Sequence, residues 1–289
     1  MSRSGRDDAR TPTPAPRSER TTDRAPSRST FAIDRLNLPR TKDRQPVQAR
    51  GRTYRLNESE ARVLATVGTF RVIRADELQS GASSRAAWTG SLRSLAEQGL
   101  VELRSVEINR EPQAVAVLTR AGKDLLEANR TSSDSPAQEF HAGLVKPREL
   151  AHDSQMHRLF EAEASRLEDE GHRVVRVMLD YEIKRDYQKF LNRPERDATA
   201  SRTTDLESFA AISGLSIVDG HLELPDLRIE YETPDGRLAY RDVELATEHY
   251  SRSQLAGKTA AGFTIYRAAG AGSSRGGTPS DPHLLKRLI

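Results

Sequence analysis

Leu92-Arg93-Ser94-Leu95-Ala96-Glu97-Gln98-Gly99-Leu100-Val101-Glu102-Leu103 is the stretch on which the fold of the first half turns. Leu92 and Leu95, with Trp88 four residues earlier, share one helical face, and Gly99 suits the left-handed position that closes a helix. Leu100 to Leu103 reads as a short strand, Asn109-Arg110-Glu111-Pro112 as a turn and Ala114-Val115-Ala116-Val117-Leu118 as the returning strand. Downstream, Thr119 caps a helix running from Ala121 to Ala128. Upstream, Asn57 with Glu60 three positions on has capping-box spacing, and Ala61, Val63, Leu64 and Val67 recur at helical intervals before Gly68. A second short helical pattern, Arg74-Ala75-Asp76-Glu77-Leu78, closes at Gly81, and a third begins at Ser83 or Ser84.

Three short helices followed by a hairpin describe a helix-turn-helix with a wing. The run from Leu92 to Val101, with Leu118-Thr119-Arg120-Ala121-Gly122, resembles the winged-helix pattern of prokaryotic regulators over about 75 residues. In that fold the third helix enters the major groove and the wing tip meets the backbone or minor groove. Duplex-DNA contacts are therefore expected from Ser83, Ser84, Arg85, Thr89 and Arg93, with Arg110 at the wing tip. Arg85 and Arg93 suit either guanine edges or phosphates. Trp88 suits stacking on a base, but its register with Leu92 and Leu95 favours packing in the core.

Charge is unevenly spread. Residues 1–50 hold 12 Lys/Arg against 6 Asp/Glu, so the leader carries +6 while the chain as a whole carries only +3. The leader is also rich in Pro, Ser and Thr, as in Thr11-Pro12-Thr13-Pro14-Ala15-Pro16, and is expected to be a disordered basic arm over 1–52, with a short apolar patch at Phe31-Ala32-Ile33 and Leu36. Such an arm either adds salt-sensitive phosphate contacts or acts as a spacer. The absence of cysteine excludes disulfides, thiolate metal sites and a cysteine nucleophile. No apolar run suits a membrane span or a secretory signal, so a soluble cytoplasmic protein is expected.

Beyond the winged helix (53–130), residues 131–147 read as a linker and 148–268 as a second, α/β domain, with a flexible tail over 269–289. That domain opens with an amphipathic helix from Glu149 to Glu170, then a strand over Val174 to Leu179. A polar stretch from Tyr187 to Ser213 reads as an insertion. Strands over Leu224 to Glu232 and Leu238 to Leu245 are joined by a turn at Thr233-Pro234-Asp235-Gly236-Arg237, and a helix from Ser253 to Gly262 and the strand Phe263 to Tyr266 follow.

That order, with Pro225-Asp226 on one strand and Glu244 on its hairpin partner, resembles the restriction-endonuclease-like core of the PD-(D/E)XK nucleases. The resemblance implies a divalent cation, Mg²⁺ or Mn²⁺, shared by Asp226 and Glu244, and a lysine that helps activate water. Glu161 or Glu163 would be a further acid. Ala246 stands where the lysine is expected, two residues after Glu244, and Lys258 on the next helix is the nearest substitute. Taken with Leu150-Ala151-His152-Asp153 and Val243-Glu244-Leu245-Ala246-Thr247-Glu248, the chain resembles the replication-relaxation family over residues 57–267. That likeness implies a role in plasmid replication or mobilisation. His152 and His157, five apart, share no clean helical face; His152 is expected to hydrogen-bond the Pro225-Asp226 strand or orient a carboxylate, and His249 to lie in solvent. Gly270 to Gly277 lacks the ending of a phosphate-binding loop, and its Gly272-Ser273-Ser274-Arg275-Gly276 match lacks the strand and helix of a nucleophile elbow.

The leading expectation is a duplex-DNA-binding accessory or regulator of a mobile element, acting in replication, mobilisation or transcription control, with a nuclease-like domain that does not turn over. A metal-dependent endonuclease using Asp226, Glu244 and Lys258 is the alternative, and it requires Lys258 to point into the acidic site. A protein-interaction adaptor contacting replication or transfer proteins is the third. The apolar C-terminus, Leu284 to Ile289, would suit docking on the body or on a second subunit of a homodimer.

Overall fold

A computed structural model describes residues 31–79, 85–108, 110–131, 137–194, 201–247, 250–268 and 285–287, which form a mixed α+β structure. The first elements are α1 (Phe31–Asp34) and a hairpin of β1 (Gln45–Ala49) and β2 (Arg52–Leu56). The expected disordered leader, 1–52, takes in α1, β1 and the first residue of β2, yet alternation buries Val47 and Ala49 of β1 with Tyr54 and Leu56 of β2 on one face. Ile33 and Leu36, the apolar patch of the leader, are buried as well, and Asn37 N–H donates to Asn129 O at 2.7 Å. Period-two burial over five residues per strand is enough to fold a polar segment onto an existing core.

The Asn57 side chain accepts from Glu60 N at 2.9 Å and Glu60 Oε2 accepts from Asn57 N at 3.0 Å, so the capping box starts α2 (Glu58–Thr69). After β3 (Ile73–Arg74) and a 3₁₀ turn (Glu77–Gln79) comes α3 (Arg85–Glu97), which buries Leu92 and Leu95 and exposes Arg93. Gly99, at φ 71°, closes it, and Leu100 N–H donates to Leu95 O at 2.9 Å. β4 (Val101–Ile108) and β5 (Glu111–Leu118) then pair from Val101↔Leu118 to Ile108↔Glu111, and β3 adds to the far side of β5. Thr119 caps α4 (Arg120–Ala128) by accepting from Gly122 N at 3.0 Å. A Cβ on Gly122 would lie 2.2 Å from Leu100 O, so glycine lets α4 meet the start of β4.

Residues 137–145, within the expected linker, are packed. Phe140 is fully buried, and the buried Gln138 amide mimics a strand: its Nε2 donates to Val177 O at 3.0 Å and its Oε1 accepts from Val177 N at 2.8 Å. The single helix expected from Glu149 is two, α5 (Pro147–Asp153) and α6 (Met156–Asp169). Ser154 Oγ and Gln155 Nε2 both donate to Ala151 O, competing with the helical ladder at the break. β6 (Arg173–Leu179) follows, then α7 (Asp180–Leu191), and the insertion expected over Tyr187 to Ser213 holds the last turn of α7 and all of α8 (Arg202–Ser213). Ile183 and Phe209 from these helices are buried with Leu215, a small core that gives a largely polar segment its helices.

β7 (Ile217–Val218) and β8 (His221–Leu222) make a short hairpin, leading to β9 (Leu227–Glu232), β10 (Leu238–Ala246), α9 (Arg252–Ala260) and β11 (Thr264–Ala268). The main sheet runs β6-β9-β10-β11, with β9 antiparallel to both neighbours and β11 parallel to β10. Within the expected tail, β12 (Leu285–Arg287) pairs antiparallel with β11. One core runs through both halves: Phe70, at the end of α2, packs 5.3 Å from Phe160 of α6 and edge-on to His157. Among the described residues no helix is long and apolar enough to cross a membrane.

Candidate functional site

Asp226 lies immediately before β9, and Glu244 near the end of the antiparallel neighbour β10. The register pairs Val243 with Leu227, so the two carboxylates meet at one end of the sheet. Leu245 N–H donates to Asp226 Oδ2 at 2.8 Å and Asp226 N–H donates to Glu244 Oε2 at 3.2 Å, each acid being fixed by the other strand's backbone. Asp226 O accepts in turn from Asp180 N at 3.1 Å, tying the start of α7 to the same corner.

Lys258 enters this corner from α9. Its Nζ donates to Leu224 O at 2.6 Å and lies 3.2 Å from Glu223 Oε2 and 3.3 Å from Glu244 Oε1. The ammonium also lies over the Phe263 ring, whose centroid is 5.1 Å from Nζ. Tyr250 OH donates to Glu244 Oε1. Gly257 makes room: a Cβ there would stand 3.1 Å from the Glu223 carboxylate.

His152, at the end of α5, completes the surround, with Nε2 3.1 Å from Asp226 Oδ1 and Nδ1 3.1 Å from Asp153 Oδ1. The expectation that His152 orients a carboxylate matches this placement. Burial works against the imidazolium, but its hydrogen bonds to Asp153 and Asp226 outweigh that and push its pKa up to about 10. Glu244 is only 1 % exposed; burial and the neighbouring Asp226 charge push its pKa up to about 7, against the opposing pull of Lys258. Burial, then the bond to Glu244, raises that of Tyr250.

Other expected residues fall elsewhere. Glu163 does not join the acidic corner: it is fully buried on α6, where it accepts from Tyr266 OH and lies 3.4 Å from Arg241. Arg241 and Glu244 are three apart on β10 and so face opposite sides of the sheet, which sends Glu163 to the other face. Glu161 lies 3.7 Å from His157, which belongs to α6 and points away from His152 towards Glu77 and Phe70. Arg93 is exposed on α3, and Arg110 is exposed at the β4–β5 turn with φ 67°, a left-handed conformation that tightens the turn. Ser83, Ser84, His249 and the side chains of Arg85, Trp88 and Thr89 lie outside the described residues.

Sequence reasoning missed Glu223, Tyr250 and Arg71, and it quoted Asp153 beside His152 without giving it a role. Only Tyr250 carried a local signal, because the Ser251–Gln254 capping box after it marks the start of α9. Comparison of the chain with protein-family models, with curated proteins and with solved structures found no match.

Proposed function

We propose that this chain acts on duplex DNA, with the N-terminal body a winged helix that holds the duplex and the C-terminal body a nuclease-like domain whose Asp226, Glu244 and Lys258 form a metal-dependent phosphodiesterase centre. The observation that carries the reading is the lysine: Lys258, fourteen residues after Glu244 in sequence, has its Nζ 3.3 Å from that carboxylate. The helix–strand–hairpin–helix–strand order of α6, β6, β9, β10, α9 and β11 supports the nuclease-like assignment, and α2, α3 and the β4–β5 hairpin support the winged helix. The mobile-element setting rests on the sequence likeness to the replication-relaxation family.

Asp226 and Glu244 offer hard oxygen donors side by side, the donor chemistry of Mg²⁺ or Mn²⁺. Burial first, and then the neighbouring Asp226 charge, raise the pKa of Glu244, and a bound cation would offset both. These two residues would hold the cation. Among the described residues no group of three or more acidic or histidine side chains is arranged to hold a metal, so water and a DNA phosphate would complete the shell. When bound, such an ion polarises a phosphoryl oxygen and acidifies water. The chain's own share is to present an ammonium, Lys258, to the developing phosphate charge, while Tyr250 steadies Glu244 and His152 orients Asp226.

A second reading keeps the same DNA contacts without turnover. It is favoured by the occupancy of the acids: each oxygen of Asp226 and Glu244 already meets His152, Leu245, Asp226 N, Tyr250 or Lys258. A native gel of supercoiled plasmid and linear duplex in Mg²⁺, Mn²⁺ or EDTA, beside an Asp226→Ala/Glu244→Ala double variant, separates them. Metal-dependent nicking lost in the double variant is expected. Retardation without nicking in any metal would leave the second reading standing.

A further inference from the structure

Four side chains from three segments make a continuous chain that ends on Asp226. Arg71, between α2 and β3, places NH1 2.9 Å from Asp153 Oδ2. Asp153 Oδ1 is 3.1 Å from His152 Nδ1, and His152 Nε2 is 3.1 Å from Asp226 Oδ1. Arg71 is itself held: its NH2 donates to Glu149 Oε2 at 2.9 Å and its guanidinium lies 4.6 Å over the Tyr181 ring. It thus clamps both ends of one helical turn of α5, Glu149 and Asp153, four residues apart.

We propose that Arg71 is a positioning residue for the Asp226 carboxylate, acting through Asp153 and His152, so that the N-terminal body is a structural wall of the C-terminal site; this rests on the hydrolytic reading above. An imidazole bonded through both nitrogens has its ring plane set by the two partners together, and the carboxylate on one nitrogen decides how the other presents itself. Asp153 can serve that role only while its second oxygen is held, and the Arg71 guanidinium holds it as an ion pair at 2.9 Å, with no hydrogen bond aligned on that oxygen. A residue from the proposed DNA-holding half thereby sets the rotamer of an acid 155 residues later in the chain.

The test uses the full chain with ¹⁵N-labelled histidine. His152 imidazole shifts and Mn²⁺ affinity are measured for the parent, Arg71→Met, Arg71→Lys and Asp153→Asn, with circular dichroism to check folding. The expected result is a displaced His152 Nε2 resonance in Arg71→Met and Asp153→Asn, Mn²⁺ affinity lowered by about 10- to 100-fold, and partial recovery of both in Arg71→Lys. An Nε2 resonance unchanged in folded Arg71→Met and Asp153→Asn overturns the proposal, as does Mn²⁺ affinity equal to the parent's. If Arg71→Met does not fold, the Arg71→Lys shift decides, because an ammonium lacks the planar fork that meets Glu149 and Asp153 through separate nitrogens. A parent chain that binds no Mn²⁺ would refute the hydrolytic reading, and the Nε2 resonance would then decide the positioning role alone.

Discussion

Replacing Glu244 with glutamine should make the protein more stable at neutral pH while removing its proposed function. Glu244 ordinarily titrates near 4.5, and in the fold burial and the Asp226 charge push it up to about 7. A carboxyl whose folded pKa is raised leaves stability intact below 4.5 and loses it progressively as pH rises towards 7, because the unfolded chain gives up its proton first. The full span corresponds to roughly 3 kcal/mol at about 1.4 kcal/mol per pH unit. Glutamine keeps the shape and still accepts from Tyr250, but it turns its NH₂ towards Asp226 N–H and gives up the charge facing Lys258, so the expected net gain at pH 8 is about 1–2 kcal/mol. Urea unfolding of both proteins in EDTA at pH 4.5 and pH 8 measures it: the curves should nearly coincide at the lower pH and separate at the higher. A variant less stable than the parent at pH 8, by the same margin as at pH 4.5, would refute the electrostatic reasoning.

Gln138→Ala removes both partners of the Val177 backbone deep in the molecule and should cost about 2–4 kcal/mol in urea unfolding, since each stranded buried group costs about 1–3 kcal/mol. His157, buried and beside Arg158, has its pKa pushed down to about 4 from an ordinary 6.5. The unfolded chain therefore binds the proton first, and stability should fall by about 3 kcal/mol as pH drops from 6.5 to 4; in His157→Gln that part of the pH profile should vanish. Arg93→Ala and Arg110→Ala should each weaken duplex binding similarly across unrelated sequences if they hold phosphates, lowering the salt slope by about 1 per residue in a filter-binding series. A loss confined to particular sequences would instead mark base readout.

The elements most legible in the sequence were those with strong local punctuation. Asn57 and Glu60 marked the start of α2, Gly99 the end of α3, and Thr119 the start of α4, because caps act over three or four residues and leave a local trace. The β9–β10 hairpin was legible from the Pro234-Asp235-Gly236 turn between alternating strands. What was not legible depended on distant partners. Residues 31–52 look like a polar leader until Ile33, Leu36 and Val47 find the core, and the buried faces of α7 and α8 are too narrow to register in a polar run. Of the acidic corner, Asp226, Glu244 and the displaced Lys258 could be named from the resemblance to the nuclease-like core, whereas Arg71 reaches Asp153, and His152 reaches Asp226, only through tertiary packing.

The central claim is that Lys258 works with Asp226 and Glu244 on a phosphodiester bond, and the rate of plasmid nicking against Mn²⁺ concentration in the parent and in Lys258→Met tests it most directly. Loss of a charge-stabilising donor should lower the maximal rate at saturating Mn²⁺ by about 10²- to 10³-fold. Equal rates in the two proteins, or a parent chain that retards the plasmid without nicking it at any Mn²⁺ concentration, would contradict the claim.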